Sequence, residues 1–356
     1  MNTSGSAGPS GHFNRRALLL AMLFIVIAAA GLLYVKWWPY YGKAITSATT
    51  HSIGSSILNG ANEAIPAPSW NTAWEYALAY FKAVWKAAVL GILLGSLVQV
   101  LLPSKWLLNM LGKATFKSTA IGGLASLPGM MCTCCAAPLA VGLRKKNASV
   151  GASLAFWIGN PTINPATLIF MTFVLSWKFT LLRLVFGLLL TFGVSYLANR
   201  FAPNEQVPRE VEAALSEDNR PEQPLYVRWG KAIWSMFISL VPAYVIAVLL
   251  LGAFRAWMFP VLSDAGANSL LAIIGFAIAG MLFVIPTAAE IPIIQTFMSM
   301  GMGGGPAAAL LLTLPAISLP SMLMIAKHFP AKVLAFTASS VVVIGILAGL
   351  VGCAFL

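Results

Sequence analysis

The stretch Ser118–Leu143, STAIGGLASLPGMMCTCCAAPLAVGL, is apolar, carries no charge and contains Pro128-Gly129 at its middle. Proline inside a helix removes a backbone hydrogen bond and clashes with the preceding turn, so a helix is expected to break there. The break leads directly into three of the four cysteines of the chain, which are Cys132, Cys134 and Cys135. The stretch therefore predicts an apolar helical segment that is interrupted at a cluster of thiols.

The rest of the chain is similarly apolar. Of its 356 residues, 59% are hydrophobic and 9% are charged, whereas soluble domains average about 25% charged residues. A helix needs about 20 apolar residues to cross a bilayer, and several runs are near or above this length. They lack the alternation of barrel strands, so we predict an all-α polytopic membrane protein. The runs are Leu18–Val35, Ala87–Leu102, Leu181–Leu197, Met236–Leu251 and Val333–Val351.

The net charge of +12 comes from basic residues between the apolar runs, which is how membrane proteins fix their orientation. The charge therefore predicts a lipid bilayer as partner rather than nucleic acid. Arg15-Arg16 precede a first run that is long for a signal peptide and has no convincing cleavage site. We predict an uncleaved first helix with a cytoplasmic N-terminus. Because Cys353 is remote from the cysteine cluster, no disulfide framework is predicted.

Two halves of the chain resemble each other in the same order. Lys82–Trp85, KAVW, recurs 149 residues later as Lys231–Trp234, KAIW, and each opens a long apolar run. A five-residue insertion would raise the offset to 154, and three further residues recur at that offset. Ordered similarity of this kind predicts a duplicated unit. The three pairs are Pro138 with Pro292, Gly151 with Gly305, and Pro161 with Pro315.

Each unit contains one broken apolar piece, 118–143 in the first and 268–300, broken at Pro286, in the second. If 118–143 is a re-entrant hairpin, Arg144-Lys145-Lys146 stays cytoplasmic, as basic loops do. Each unit then crosses three times and the second is inverted relative to the first. Inverted repeats with corresponding breaks are typical of secondary transporters. The alternative is that both broken pieces cross fully, which would make the repeats parallel.

This organisation divides the chain into four parts. Residues 1–75 hold an N-terminal tail, an extra transmembrane helix and, from residue 36, an external loop with a short amphipathic helix. Residues 76–198 form the first transmembrane repeat and 229–356 the second. The hydrophilic stretch 199–228 is predicted to be a cytoplasmic linker. We expect a multi-pass protein of the inner cell membrane, and its oligomeric state is left open.

The thiol cluster indicates the class of ligand. Thiolates are soft ligands that suit Cu(I) and Zn(II), and trivalent arsenic also takes two or three sulfurs. The cluster can offer two or three sulfurs to one substrate atom if the backbone departs from a plain helix. Cys132 and Cys135 also have the Cys-x-x-Cys spacing of thiol–disulfide enzymes, so a membrane oxidoreductase is an alternative.

The corresponding segment of the second unit, Ile285–Pro292, IPTAAEIP, carries an acid instead of thiols. Glu290 falls on Ala136 at the offset of 154, next to the cysteines. An acid at membrane depth is costly and is by default a functional candidate. We predict that the two breaks face each other across one cavity and that Glu290 couples transport to protons.

A third motif, Gly159–Pro165, GNPTINP, places polar residues in an apolar segment. Asn160, Thr162 and Asn164 are predicted to bind substrate in the same cavity, together with Ser318, the counterpart of Asn164. The alternative is that these side chains only support a helix kink and helix–helix hydrogen bonds.

The Cys-x-Cys cluster with Ala-Ala-Pro, the following Gly-Leu-Arg and the GNPTINP run resemble the ArsP-type permease family. The resemblance covers the chain from about Lys82 onward. It implies a permease rather than an enzyme, no cofactor, and efflux of trivalent organoarsenicals bound through Cys132 and Cys134, with Cys135 as a third thiol. A thiol–disulfide oxidoreductase and a copper-like soft-cation exporter are the alternatives.

Overall fold

The computed structural model describes residues 15–59, 65–202, 223–260 and 268–356, and within them every regular element is helical. The predicted all-α membrane architecture is confirmed, because six of the described helical segments are long and apolar enough to cross a bilayer. They are Leu18–Thr50, Trp70–Leu101, Trp177–Phe201, Leu225–Met258, Gly304–Ile325 and Ala331–Phe355.

The N-terminal helix is longer than the sequence predicts. Helix α1, Arg15–Leu32, continues through a π-helical turn, Leu33–Trp37, into α2, Trp38–Thr50, so the loop predicted from residue 36 is wrong up to Thr50. Pro39 lies in the first turn of α2, where a missing N–H is tolerated. The threonines of α2 return their hydroxyls to carbonyls of their own helix, so they do not end it.

The first unit follows after residues 60–64. A long helix is followed by a short one, a broken pair, a second pair and a final helix that continues to Phe201. These are α3 Trp70–Leu101, α4 Ser104–Leu111, α5 Phe116–Ser126, α6 Thr133–Lys145, α7 Val150–Thr162, α8 Pro165–Val174, α9 Trp177–Leu188 and α10 Ser195–Ala198. A π-helical turn, Leu189–Val194, joins α9 to α10. The first break is therefore 127–132.

Within the described residues, the second unit repeats the order of a long helix, a broken pair, a second pair and a final helix. Its elements are α11 Leu225–Met258, α12 Leu270–Leu282, α13 Glu290–Ser299, α14 Gly304–Ala316, α15 Leu319–Ile325 and α16 Ala331–Phe355. The second break is 283–289 and includes Pro286, as predicted. Most of the predicted linker, residues 203–222, and the tail up to residue 14 lie outside the described residues.

The helix bounds agree with the duplication. The differences 304 − 150, 319 − 165 and 331 − 177 between corresponding helix starts are all 154. The capping residues Asn164 and Ser318 are also 154 apart, and each accepts hydrogen bonds from the first turn that follows it. The two units therefore share one plan, and their relative orientation in a bilayer stays a prediction.

The halves after each break lie in the interior. Helix α6 packs against α3, where the backbones approach so closely that a Cβ on Gly91 would meet the Cys135 carbonyl. A Cβ on Gly95 would meet the Pro138 carbonyl in the same way. Small residues permit such approaches between membrane helices. Helix α13 is buried over its first turn and packs against α14.

Candidate functional site

The two breaks face each other across a small cavity. The first break contributes Cys132, and the second contributes most of its length together with Glu290. The kinks after α7 and α14 complete the wall. The lining residues are Cys132, Thr133, Pro161, Thr167, Ile285, Pro286, Thr287, Ala288, Glu290, Leu314, Pro315 and Ser318.

The first break is held in place by α7. Met130 adopts a left-handed conformation, with φ of 48°, and the N–H of Met131 donates to Asn160 Oδ1 at 3.4 Å. The Trp157 indole N–H donates to the Thr133 carbonyl at 2.9 Å. Buried backbone groups that lack helical partners must be satisfied in this way. Side chains of α7 therefore determine where α6 begins, at Cys132.

The three thiols are not equivalent. Cys132 is the capping residue of α6, and its Sγ lies 3.0 Å from Cys135 Sγ, one helical turn further on. Cys134 points away from this pair, and its Sγ lies 3.7 Å from Ser318 Oγ. All three side chains are buried. In the described part of the chain, no three His, Cys, Asp or Glu side chains are grouped to hold a metal ion. The cluster is therefore a pair and a single thiol.

Glu290, at the start of α13, is almost completely buried. Its Oε1 accepts a hydrogen bond from Arg183 Nη1 at 2.5 Å, which makes an ion pair between the two units. Its Oε2 is buried and has no hydrogen-bond partner. Because Glu290 lines the cavity, this oxygen is the polar atom that a bound molecule or a proton could satisfy.

Arg183, which the sequence analysis did not single out, connects the ion pair to the kink after α7. Its guanidinium donates to the carbonyls of Pro161, at 2.6 Å, and Thr162, at 3.2 Å. These carbonyls lack helical partners because Pro165 has no N–H and the Ala166 N–H donates to Asn164 Oδ1. An arginine inside the apolar run Leu181–Leu197 was the signal that could have identified it.

The predicted polar residues of the GNPTINP motif are buried but do not line the cavity. Asn160 holds the first break, the Thr162 hydroxyl bonds Thr191 at 2.9 Å, and Asn164 caps α8. Ser318 both lines the cavity and caps α15. These contacts match the structural alternative for the motif, and a role of the three residues in substrate binding stays a prediction.

The N-terminal helix contacts both breaks. Lys36 is buried, and its Nζ donates to Thr287 Oγ1 at 3.1 Å and to the Tyr40 hydroxyl at 3.0 Å. The Trp37 indole N–H donates to the Pro128 carbonyl at 2.8 Å. The sequence did not reveal this contact, because Lys36 ends the apolar run and resembles an interfacial residue. The added helix thus places a cation beside a residue that lines the cavity.

On the side of Cys134 lies a cluster of phenols. The Tyr80 and Tyr244 hydroxyls are 2.7 Å apart, and the Tyr76 hydroxyl donates to the carbonyl of Val284 in the second break. Tyr80 and Tyr244 also lie next to the Cys134 thiol. The three rings are buried and come from α3 and α11, the first helix of each unit.

Comparison with known proteins identifies the family. The ArsP_1 family model, described as a predicted permease, matches residues 69–353. UPF0718 protein YraQ of Escherichia coli K12 is 52% identical over 330 residues, which cover 92% of this chain and 93% of the relative. UPF0718 protein MJ0584 of Methanocaldococcus jannaschii is 24% identical over 288 residues, which cover 62% of this chain and 79% of the relative. No solved structure matches. The chain therefore belongs to the ArsP-type family of predicted permeases and is a multi-pass membrane protein.

Proposed function

We propose that this permease exports trivalent organoarsenicals through the cavity between the two breaks. The observation that carries the proposal is the Cys132–Cys135 pair, whose sulfurs lie 3.0 Å apart and of which Cys132 lines the cavity. Two adjacent thiols suit a soft trivalent centre. Methylarsenite, CH₃As(OH)₂, reacts with two thiols to give CH₃As(S-Cys)₂ and two waters, so no electrons are transferred. The family resemblance supports the same class of substrate.

The second part of the proposal is that Glu290 couples export to protons. Its ion pair with Arg183 connects α13 of the second unit to α9 of the first. A proton on Glu290, which lines the cavity, removes the charge that attracts Arg183, so the units can separate. Alternating access then follows from movement of one unit against the other.

The family resemblance implies export, and the proposed topology assigns the cytoplasmic and outer faces of the protein. With the N-terminus cytoplasmic and both broken pieces re-entrant, the basic loop at Arg144–Lys146 lies on the cytoplasmic side. The two units are then inverted in the inner membrane. Substrate enters from the cytoplasm, binds the thiols and leaves outward.

Substitution of Cys132 tests whether the substrate is bound through thiols. Cells that depend on this protein and carry Cys132→Ser should accumulate methylarsenite as an empty-vector strain does, because one sulfur of the pair is lost. Cys353→Ser is the matched control, since Cys353 is exposed and remote from the cavity. Full resistance of the Cys132→Ser strain would exclude a thiol-bound substrate. Resistance to copper or silver, rather than to arsenicals, would assign a soft-cation exporter.

Substitution of Glu290 tests whether transport is coupled to protons. Glu290→Gln keeps the size of the side chain but cannot exchange a proton at neutral pH, so transport by everted vesicles should lose its dependence on pH. The measurement is the initial rate of methylarsenite uptake between pH 6 and 8. An unchanged pH profile would remove Glu290 from the mechanism.

A second candidate function has its own observation. Cys132 caps the N-terminus of α6, and Cys135 lies 3.0 Å away. This is the arrangement of a Cys-x-x-Cys pair whose first thiolate is stabilised by the helix. A membrane thiol–disulfide oxidoreductase would show a reversible Cys132–Cys135 disulfide with turnover, measured by mass labelling under oxidising and reducing conditions. Thiols that stay reduced yet bind arsenic would favour the permease.

A further inference from the structure

The cysteine cluster separates two polar environments. Cys132 and Thr287 line the cavity, and the buried Lys36 ammonium bonds Thr287 from outside it. Cys134 does not line this cavity, and its thiol lies beside Tyr80 and Tyr244. Ser318 contacts both sides, because it lines the cavity and its Oγ is 3.7 Å from Cys134 Sγ. The Cys134–Ser318 contact is thus the boundary between the two environments.

The tyrosine side continues away from the thiols as a chain of polar groups. Tyr80 and Tyr244 bond each other, and the Tyr76 ring is next along α3, with its centroid 6.2 Å from that of Tyr80. The Arg255 guanidinium lies 5.4 Å above the Tyr76 ring, and its Nη1 donates to the Thr72 carbonyl. Thr72 and Arg255 are near the ends of α3 and α11, so these groups run from mid-helix to one end of both helices.

We propose that the three thiols bind substrate in series. The Cys132–Cys135 pair takes the arsenical from the cavity, and Cys134 passes it to an exit compartment formed by Tyr80 and Tyr244. This inference rests on the proposed function and adds a second substrate site to it. In the proposed topology the linker 199–228 is cytoplasmic and α11 crosses outward from it, so Arg255, near the end of α11, lies on the outer side. The tyrosine side is then the outward path.

The transfer is a ligand exchange at trivalent arsenic. In CH₃As(S-Cys132)(S-Cys135), the sulfur of Cys134 attacks arsenic, a new As–S bond forms and the As–S bond to Cys135 breaks. The proton that leaves Cys134 is taken up by the Cys135 sulfur. Arsenic stays trivalent throughout, so no oxidant or reductant is required.

Measurements of arsenical binding and of arsenical transport in cysteine variants distinguish binding in series from binding at a single site of three sulfurs. The probe for binding is phenylarsine oxide, titrated against purified protein in detergent. Cys134→Ser should still bind one equivalent with nearly wild-type affinity, whereas Cys135→Ser should weaken binding by about 100-fold, because the second sulfur of the chelate is lost. Methylarsenite uptake by everted vesicles should fall by about tenfold or more in Cys134→Ser. Cys353→Ser should match wild type in both assays.

The outcomes that contradict the series order are specific. If Cys134→Ser weakens phenylarsine oxide binding as much as Cys135→Ser does, the three sulfurs form one site. If Cys134→Ser transports methylarsenite at the wild-type rate, Cys134 is not on the path. If wild-type protein does not bind phenylarsine oxide at all, the proposed function fails instead. Monodisperse elution of each variant establishes that it is folded.

The exit compartment has an independent test. Tyr80→Phe and Tyr244→Phe each remove one hydroxyl and keep the ring, so methylarsenite uptake by everted vesicles should fall by about tenfold, as expected for one lost hydrogen bond on the path. Phenylarsine oxide binding should be unchanged in both. Tyr226→Phe is the control, because Tyr226 is an exposed tyrosine on α11. Wild-type uptake by both buried variants would exclude the tyrosine cluster as an exit.

Discussion

The two breaks occupy corresponding positions in a duplicated unit but differ in chemistry. At the offset of 154, Cys132, Cys134 and Cys135 correspond to Pro286, Ala288 and Ala289, so the second break has no thiol. Conversely, Glu290 corresponds to Ala136, and its partner Arg183 corresponds to Thr337. The thiols therefore lie at the end of the first break and in the first turn after it, and the acid of the buried ion pair directly follows the second break. The two corresponding breaks thus differ in the chemical groups that each brings to the cavity.

The helices after the breaks are also fixed differently. Helix α6 lies directly on the backbone of α3 at Gly91 and Gly95. At the offset of 149 that relates α3 to α11, their counterparts are the bulkier Leu240 and Tyr244, which permit no such approach. Helix α13 instead is joined to the first unit by the ion pair between Glu290, its first residue, and Arg183. Close backbone packing cannot be switched by a proton, whereas an ion pair can. This difference makes the second break the mobile partner in the proposed mechanism.

The largest expected effect concerns the orientation of the two units. Lys145 and Ser299 are exposed and occupy corresponding positions after the two breaks. In a Cys353→Ser background, we expect a membrane-impermeant maleimide added to intact cells to label Ser299→Cys and not Lys145→Cys. The physical reason is that inverted units place equivalent residues on opposite faces.

Disrupted membranes provide the control, because both cysteines should then react. Labelling of both positions from outside, or of neither, would show parallel repeats with broken pieces that cross fully.

The next largest expected effect is on stability and concerns the Arg183–Glu290 ion pair. Arg183→Met should lower the free energy of unfolding by about 3–5 kcal/mol, because it leaves the buried Glu290 carboxylate without its counter-ion. The carbonyls of Pro161 and Thr162 also lose their donor. Denaturation in detergent measures the change. Thr337→Val, at the corresponding position of the second unit, should cost about 1 kcal/mol, the value of one hydrogen bond.

The double variant makes the comparison quantitative. Arg183→Met with Glu290→Gln should be more stable than the sum of the two single changes, since neither charge is then left alone. Simple additivity would mean that the two residues do not depend on each other, and the difference between the breaks would then not lie in this pair.

The plan of the molecule could be predicted from the sequence, and the connections within the site could not. Apolar length and proline position are local, so the membrane helices and both breaks were identified from composition and spacing. The Arg183–Glu290 pair joins residues 107 apart in the chain, and no local pattern specifies such a pairing. The division of the thiols depends on the left-handed Met130 and on the start of α6 at Cys132, which spacing alone does not reveal.

The length of the N-terminal helix was not predicted correctly, for a related reason. Its small polar residues and Pro39 are typical of a loop, yet the hydroxyls bond within the helix and the proline lies in a first turn. The low helix propensity of these residues is therefore offset in the folded protein, where Lys36 and Trp37 hold the helix against both breaks.

The smallest expected effect concerns the loops after the breaks. Lys146 bonds Ser104 Oγ at 3.0 Å, and burial, with a smaller contribution from Arg228, lowers its pKa to about 8. Its counterpart in the second unit is the uncharged Met300. Below pH 8 the amine is charged in both the folded and unfolded states, so the folded protein bears the full cost of burying it. Between pH 8 and the ordinary lysine pKa of about 10.4, only the unfolded chain keeps the proton, so stability should rise with pH.

Lys146→Met, which makes the first loop resemble the second, should remove this rise, and at pH 7 the variant should be at least as stable as wild type. The measurement is the unfolding temperature in detergent between pH 7 and 10.5. Lys113→Met, an exposed lysine of the same unit, is the control and should keep the wild-type slope. If Lys146→Met keeps the slope as well, the basic loop does not bury its charge, and its difference from the Met300 loop is confined to membrane orientation.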